Sequence, residues 1–172
     1  MVDFTIIAAI ARNNAIGING KIPWSIREDF VRFKKLTMGY PCIMGIRTYK
    51  SFPKKSRPLP KRENIVLTSD SGFDPDNVTV YNNFNDAIKH VKSGCKNRAF
   101  LIGGSRIYKA GLDIASVLEL TVIDRDYDAD TFFPNIDFSK WRLAYKENAK
   151  GVDRRSKEKV SFSFITYYRC CL

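Results

Sequence analysis

Histidine is almost missing from this chain: His90 is the only one among 172 residues. It sits in "NDAIKHVK", where Ala87, Ile88 and Val91 form the apolar side of a helical pattern and His90 the solvent side. A lone surface imidazole gives no basis for a histidine-centred triad or a multi-histidine zinc site. Cysteine is sparse too. Cys42, Cys95, Cys170 and Cys171 show no CxxC spacing, and an adjacent pair at the carboxyl end is a poor zinc or disulfide framework. No run of eighteen apolar residues occurs, and Asp3 stands where a secretory signal would carry bases. These absences place the chain in the cytoplasm, away from membranes. Any chemistry has to come from carboxylates or from a borrowed cofactor.

What the chain does have is an ordinary globular composition, 44% apolar and 13% aromatic, with a net charge of +11. Its length suits one domain over residues 1–172, burying about 70% of the unfolded surface. Lys54, Lys55, Arg57, Lys61 and Arg62 form one basic run, and Arg154, Arg155, Lys157 and Lys159 another. Such charge draws nucleic acid or small polyanions, or simply coats a solvated surface.

Short apolar runs alternate with amphipathic segments. "FTIIAAIA", "PCIMG", "NIVLTS", "VTVY", "RAFLIGG" and "VLELTVI" read as strands, and helical patterns lie at 25–37, 47–52, 85–91 and 106–114. This alternation predicts an α/β fold with a mainly parallel central sheet of about eight strands flanked by helices. "WRLAYKENA" and "EKVSFSFITYYR" are longer and partly alternating, which predicts an antiparallel C-terminal hairpin at the sheet edge, joined through the loop "KGVDRRSK".

Three local features bear on chemistry. Ser25 and Glu28 have the spacing of a capping box, which makes Trp24 and Asp29 a hydrophobic staple and puts an acid into the stripe Ile26, Phe30, Phe33, Leu36 and Thr37. Gly45 and the pair Gly103-Gly104 each follow a buried strand and open a helix, an arrangement that suits a dinucleotide pyrophosphate although neither matches GxGxxG. The loop "NNAIGINGKIPW" has turn residues, yet Ile16, Ile18 and Ile22 are too apolar for a purely solvated loop; it packs over a core or closes over a ligand.

Taken in order, "IIAAIARNNAIGINGKIPW", "DFVRFKKLT", "PCIMGIRTYKSF", "RPLPKRENIVLTS", "FLIGGSRIY" and "LTVIDRDYDADTFFP" resemble the dihydrofolate reductases, from Phe4 to the final hairpin. Aspartate at position 29 is similar to bacterial and protozoan members. The resemblance implies reduction of 7,8-dihydrofolate with hydride from NADPH, binding of antifolates such as methotrexate or trimethoprim, and a monomer. It makes Asp29, Trp24 and Thr121 catalytic: Asp29 pairs with the pterin ring and promotes N5 protonation through a water near Trp24, and Thr121 orients the carboxylate. It puts Ile7, Ala9, Phe30, Phe33, Phe52, Leu59 and Ile102 around the substrate, Arg62 on the folate α-carboxylate and Arg57 at its rim. Cofactor residues implied are Ala9, then the mobile loop Ala15, Ile16, Gly17, Gly20 and Lys21. Gly45, Arg47 and Thr48, with Gly103, Gly104, Ser105, Arg106, Ile107 and Tyr108, meet the pyrophosphate, and Thr68 and Ser69 lie under the adenine ribose. In this family Gly103-Gly104 is a cis peptide. One departure stands out: many relatives have a base where this chain has Ile46, which puts the NADPH-over-NADH preference on Arg47 and Ser69. Lys54 and Lys55 fall near the glutamate end of the folate.

Two rivals share some of these features. A single-strand nucleic-acid module needs exposed aromatics among bases, for which Tyr167, Tyr168 and Arg169 are the candidates. A pyrimidine reductase of riboflavin synthesis shares the fold, but the set Trp24, Asp29, Phe33, Arg62 and Thr121 favours folate.

Overall fold

The computed structural model describes residues 2–170. In chain order the elements are β1 (Asp3–Ala11), β2 (Ala15–Gly17), α1 (Arg27–Thr37), β3 (Cys42–Gly45), α2 (Ile46–Ser51), β4 (Asn64–Leu67), β5 (Val78–Tyr81), α3 (Phe84–Ser93), β6 (Arg98–Leu101), α4 (Ser105–Gly111), β7 (Val117–Ile123), β8 (Thr131–Phe132), β9 (Trp141–Asp153) and β10 (Glu158–Arg169), with 3-10 turns at Lys54–Ser56 and Phe138–Lys140. The main sheet runs β5-β4-β3-β6-β1-β7-β10-β9. From β5 to β7 every neighbouring pair is parallel. β10 runs antiparallel to β7, and β9 antiparallel to β10 at the edge.

β1 lies in the middle because its residues are apolar on both sides. Ile6, Ala8 and Ile10 enter one core cluster, together with Ile43, Leu101, Leu118 and Leu120. That cluster is covered by Ala87, Ile88 and Val91 of α3 and by Ile107 and Tyr108 of α4. Ile7 points to the opposite face, where Cys42, Met44, Val66, Phe100 and Ile102 join Phe33 and Leu36 of α1 and Tyr49 of α2. The period-two alternation of the strands therefore divides the core into two layers. A third cluster, around Trp24, Ile26, Ile123, Val160 and Phe162, ties the start of α1 to the C-terminal hairpin.

The start of α1 differs from the capping-box expectation. Ile26 is the extended N-cap (φ −105°, ψ 116°) and makes no side-chain cap. The Ser25 N–H, which Glu28 would have bound, donates instead to Asp153 Oδ1 at 2.9 Å, and the Arg154 N–H donates to the Ser25 carbonyl. Asp153 thus does from the hairpin what Glu28 was expected to do from within the helix. The staple fails with the box, since Ser25 and Phe30 now hold the two staple positions and Trp24 packs on Tyr127, with ring centroids 5.0 Å apart. The stripe is also broken: Ile26 and Thr37 are buried, Phe33 and Leu36 half-buried, and Phe30 is 44% exposed.

Other differences are smaller. β9 extends to Asp153, so the hairpin turn is only residues 154–157. The loop "NNAIGINGKIPW" contains β2, which pairs with β8. Its Asn19-Gly20 corner has positive φ at both residues (49° and 71°), with Ile18 and Lys21 exchanging hydrogen bonds across it, the geometry an Asn-Gly turn favours. His90 is half-buried, its Nε2 2.6 Å from Glu63 Oε1. Cys42, Cys95 and Cys170 are free thiols, and Cys171 lies outside the described residues. Among the described residues no helix is long and apolar enough to cross a membrane.

Candidate active site

Asp29 occupies the first turn of α1, whose only acids there are Glu28 and Asp29. It is partly accessible but surrounded by protein. Burial pushes its carboxyl above the ordinary value; hydrogen bonding from Thr121 and the charge of Arg32 pull the other way and lose. Thr121 is buried on β7, opposite Ala9 of β1. In the same register Glu119 lies opposite Ile7, so Ile7, Ala9, Glu119 and Thr121 share the face that α1 covers.

Five of the apolar residues implied around the substrate pack together. Ile7, Leu59 and Ile102 are buried in one cluster, with Phe33 and Phe52 packed against it. Phe30 belongs to none of the clusters and is exposed, so it does not bury Asp29 as expected. Leu59 is fixed by Asn64, a strand residue 2% exposed whose amide bonds both the N–H and the carbonyl of Leu59. Arg62 is held at the end of α1: Nε donates to the Pro60 carbonyl at 3.1 Å and Nη1 to the Thr37 hydroxyl at 3.0 Å, with the guanidinium 5.8 Å from the Phe33 ring. Thr37 donates in turn to the Phe33 carbonyl. Arg57 is turned toward Lys50, donating to its carbonyl at 2.8 Å, and lies over Tyr49. No acid occurs between Asp29 and Glu63, so the charged side chains of this stretch, Arg57 and Arg62 among them, are all cationic.

The two glycine openings meet. The Gly45 N–H donates to the Gly103 carbonyl at 2.8 Å. A Cβ on Gly45 would stand 3.8 Å from the Gly104 nitrogen, and one on Gly104 3.6 Å from the Thr48 hydroxyl. Gly103-Gly104 is a cis peptide, and Gly103 has φ +111°, with Tyr108 within 3.0 Å of where its Cβ would be; only glycine suits that position. Of the residues after it, Ser105 and Arg106 are accessible, whereas Ile107 and Tyr108 turn into the core. Tyr108 donates to the Ile7 carbonyl at 3.1 Å and is buried beside Phe133, with its ring against Gly103. Ile46 packs on the second core layer, while Arg47 is exposed; the Asp130 carboxyl is held below its ordinary value by hydrogen bonds from the Asn19 N–H and the Thr131 hydroxyl, with the charge of Arg47 a minor addition. Thr68 is half-buried and accepts from the Asp70 N–H; Ser69 is exposed.

The loop Ala15 to Lys21 is anchored at both sides of its tip. Asp130 N–H donates to the Gly17 carbonyl, and Asn19 N–H to Asp130 Oδ2 at 2.7 Å. Ala15 is buried, Ile16 and Gly17 half-buried, Gly20 and Lys21 exposed. Trp24 is 1% exposed, and its Nε1 has no hydrogen-bond partner among the described residues. At the far end of β10, Arg169 donates to the carbonyls of Ala115 and Leu112 and lies over Trp141, so it is engaged internally.

Sequence reasoning missed Arg32, Glu119, Asn64 and Asp153. Glu119 carried a signal, as the one acid in the apolar strand "VLELTVI". Asp153 carried none, because the helix-start N–H it holds, that of Ser25, lies 128 residues away in sequence.

Comparison with known proteins agrees with this geometry. The family model described as dihydrofolate reductase matches residues 3–169. The chain is 36% identical to the dihydrofolate reductase of Neisseria gonorrhoeae over 168 residues, covering 97% of this chain and 98% of that one. It is 35% identical to that of Haemophilus influenzae over 95% of this chain and 98% of the relative. Among solved structures, dihydrofolate reductase from Enterococcus faecalis complexed with NADP(H) and RAB-propyl superimposes with a TM-score of 0.87 at 29% identity, over 98% of this chain and 97% of that one. With its sheet order, its joined glycine openings and its acid at the head of α1, this chain belongs to the dihydrofolate reductase family.

Proposed function

We infer that the protein reduces 7,8-dihydrofolate to 5,6,7,8-tetrahydrofolate, taking hydride from NADPH and a proton from solvent. The observation that carries this is Asp29: a carboxyl held up by burial beside an apolar wall, at the head of a stretch, residues 30–62, that contains no acid. Such a group accepts a paired hydrogen bond from the N–H donors of a pterin and favours its N5 protonation. Thr121 orients the carboxyl, and Trp24 Nε1 holds the water that carries the proton. Ile7, Ala9, Phe33, Phe52, Leu59 and Ile102 enclose the ring and aminobenzoyl group, and Arg62 pairs bidentately with the α-carboxylate. Phe30 stands at the entrance, where it covers the substrate rather than the acid.

The convergence of Gly45, Thr48 and Gly104 leaves room for a pyrophosphate, so the residues present fit NADPH, with Arg47, Ser105 and Arg106 near it and Thr68 and Ser69 beneath the ribose. Bound there, NADPH supplies the hydride. Ala15 to Lys21 closes over the nicotinamide side and excludes water. The setting assigned is the cytoplasm, with residues 1–172 acting as one domain and a monomer; methotrexate- or trimethoprim-like antifolates compete with dihydrofolate. The rim cations Lys54 and Lys55 attract the glutamate tail. The test is loss of NADPH absorbance on adding dihydrofolate. Turnover that depends on both, and is blocked by an antifolate, is expected; no turnover by the folded protein overturns the reading.

A further inference from the structure

Three residues along α1 from Asp29, Arg32 turns inward. Its Nη2 lies 2.5 Å from Glu119 Oε2, and the two side chains are only 16% and 15% exposed. Glu119 Oε2 also accepts from the Thr166 hydroxyl at 2.7 Å, and the Arg32 guanidinium lies 4.9 Å from the Phe164 ring centroid. Register places these groups beside the site: Glu119 is opposite Thr166 and Thr121 opposite Phe164, two residues on. Arg32 Nη1 is buried without a hydrogen-bond partner among the described residues. A covered ion pair is costly to build, and half of this guanidinium is left unpaired. Packing alone would be better served by an apolar pair.

We propose that Arg32 and Glu119 form a positioning pair that sets the charge presented to the Asp29 carboxyl, and through it the proton balance of the reaction; this rests on the role given to Asp29 above. Arg32 favours the ionised form of Asp29, and Glu119 moderates that pull by neutralising most of the guanidinium charge. The other groups facing Asp29 are Thr121 on β7 and Tyr108 from α4, a phenol kept neutral by burial. Facing Arg32 from β9 is Tyr145, whose hydroxyl donates to Glu147 at 2.6 Å. None of these supplies a second cation to Asp29. The balance therefore turns on one cation and the acid that restrains it.

The opposite signs of the two charges give the test. Arg32→Met keeps the stem and removes the cation, so Asp29 should titrate on the order of one pH unit higher. Glu119→Gln keeps an acceptor for Thr166 and frees the cation, so Asp29 should titrate lower. Both are read from carbon-13 resonances of the carboxyl groups in the ligand-free protein and from the pH profile of the hydride step. The double variant should return close to wild type. A purely structural pair would instead move both single variants the same way or neither, which overturns the proposal. If Glu119→Gln does not fold, Arg32→Lys against Arg32→Met decides: lysine keeping the wild-type titration supports the proposal, and equal titration in both sinks it. If Asp29→Asn leaves the wild-type pH profile unchanged, the role given to Asp29 fails instead. The carbon-13 titration, which needs no turnover, still tests the pair.

Discussion

Two acids sit at the amino-terminal end of α1 and are held in opposite ways. Asp153 is 1% exposed and accepts from three donors: the N–H groups of Ser25 and Arg155 at Oδ1, and the Tyr127 hydroxyl at Oδ2. Burial pushes its carboxyl up, but those donors and the charge of Arg125 together bring it below the ordinary value. Asp29 is also pushed up by burial, and Thr121 and Arg32 do not reverse it. The same side chain is structural where its hydrogen-bonding capacity is filled and, in the function proposed, ligand-facing where it is left open. Changing each should therefore separate stability from turnover.

The largest effect expected is on catalysis. Asp29→Asn keeps the shape, presents a donor where the pterin needs an acceptor, and removes the titrating group. Turnover at neutral pH should fall at least 10²-fold, the usual scale for losing an acid–base group, while the unfolding midpoint stays put or rises. Steady-state kinetics beside denaturant unfolding measure both. Wild-type turnover in this variant would break the contrast.

Asp153→Asn should do the reverse. The amide cannot accept at both oxygens, so a buried N–H or the Tyr127 hydroxyl loses its partner, at a cost of about 2 kcal/mol, roughly thirtyfold in the folding equilibrium. The start of α1 loosens with it. The expected outcome is a lower unfolding midpoint at neutral pH, with far less than 10²-fold loss of turnover per folded molecule. A loss matching that of Asp29→Asn would mean that the hairpin positions the catalytic carboxyl directly.

pH sharpens the contrast further, since the two acids have opposite signs. Asp153 is depressed, so its stabilisation is present above the ordinary carboxylate value of 3.8 and is lost as pH falls through its folded value. Asp29 is raised, so its contribution is complete below its unfolded value and is lost as pH rises through its folded value. The hydride step should slow in that same upper range, by about tenfold per pH unit once Asp29 is ionised. Single-turnover rates across pH check this; a flat profile in wild type would contradict it.

How far each acid could be foreseen follows from the same difference. An acid at the head of α1 and the two glycine openings were legible because the motifs that carry them are short and local, whereas Phe33, Leu59 and Thr121 came only with the family resemblance. The parallel sheet was legible because "FTIIAAIA" and "RAFLIGG" are apolar on both faces. The capping box at Ser25 and Glu28 misled because a residue distant in sequence, Asp153, competes for the same N–H. At α3 no such competitor exists: Asn83 accepts from the Asp86 N–H, and the cap stands as a local unit. Likewise β2 was hidden, since its partner β8 contributes only two residues. Arg32 lies outside the stripe Ile26, Phe30, Phe33, Leu36 and Thr37, and a helical wheel cannot show that Glu119 waits on β7.

The smallest effect should come from Tyr127→Phe, and it tests whether the two acids are truly separate. The hydroxyl is the only donor to Asp153 Oδ2 among the described hydrogen bonds, at 3.0 Å, while the ring packs on Trp24. Phenylalanine keeps the ring contact and removes one hydrogen bond, so stability should fall by about 1 kcal/mol, roughly fivefold in the equilibrium. Asp153 retains its two backbone donors, so the start of α1 holds. Asp29 shares no hydrogen bond with Tyr127, so the pH profile of the hydride step should not move. A route between them runs through Trp24, which packs on Tyr127 and whose buried Nε1 holds the proton-carrying water in the function proposed. A profile displaced in Tyr127→Phe would show that the Trp24–Tyr127 contact transmits the state of Asp153 to that water. Structural and catalytic acids would then form one coupled unit, and the contrast between them would be one of degree.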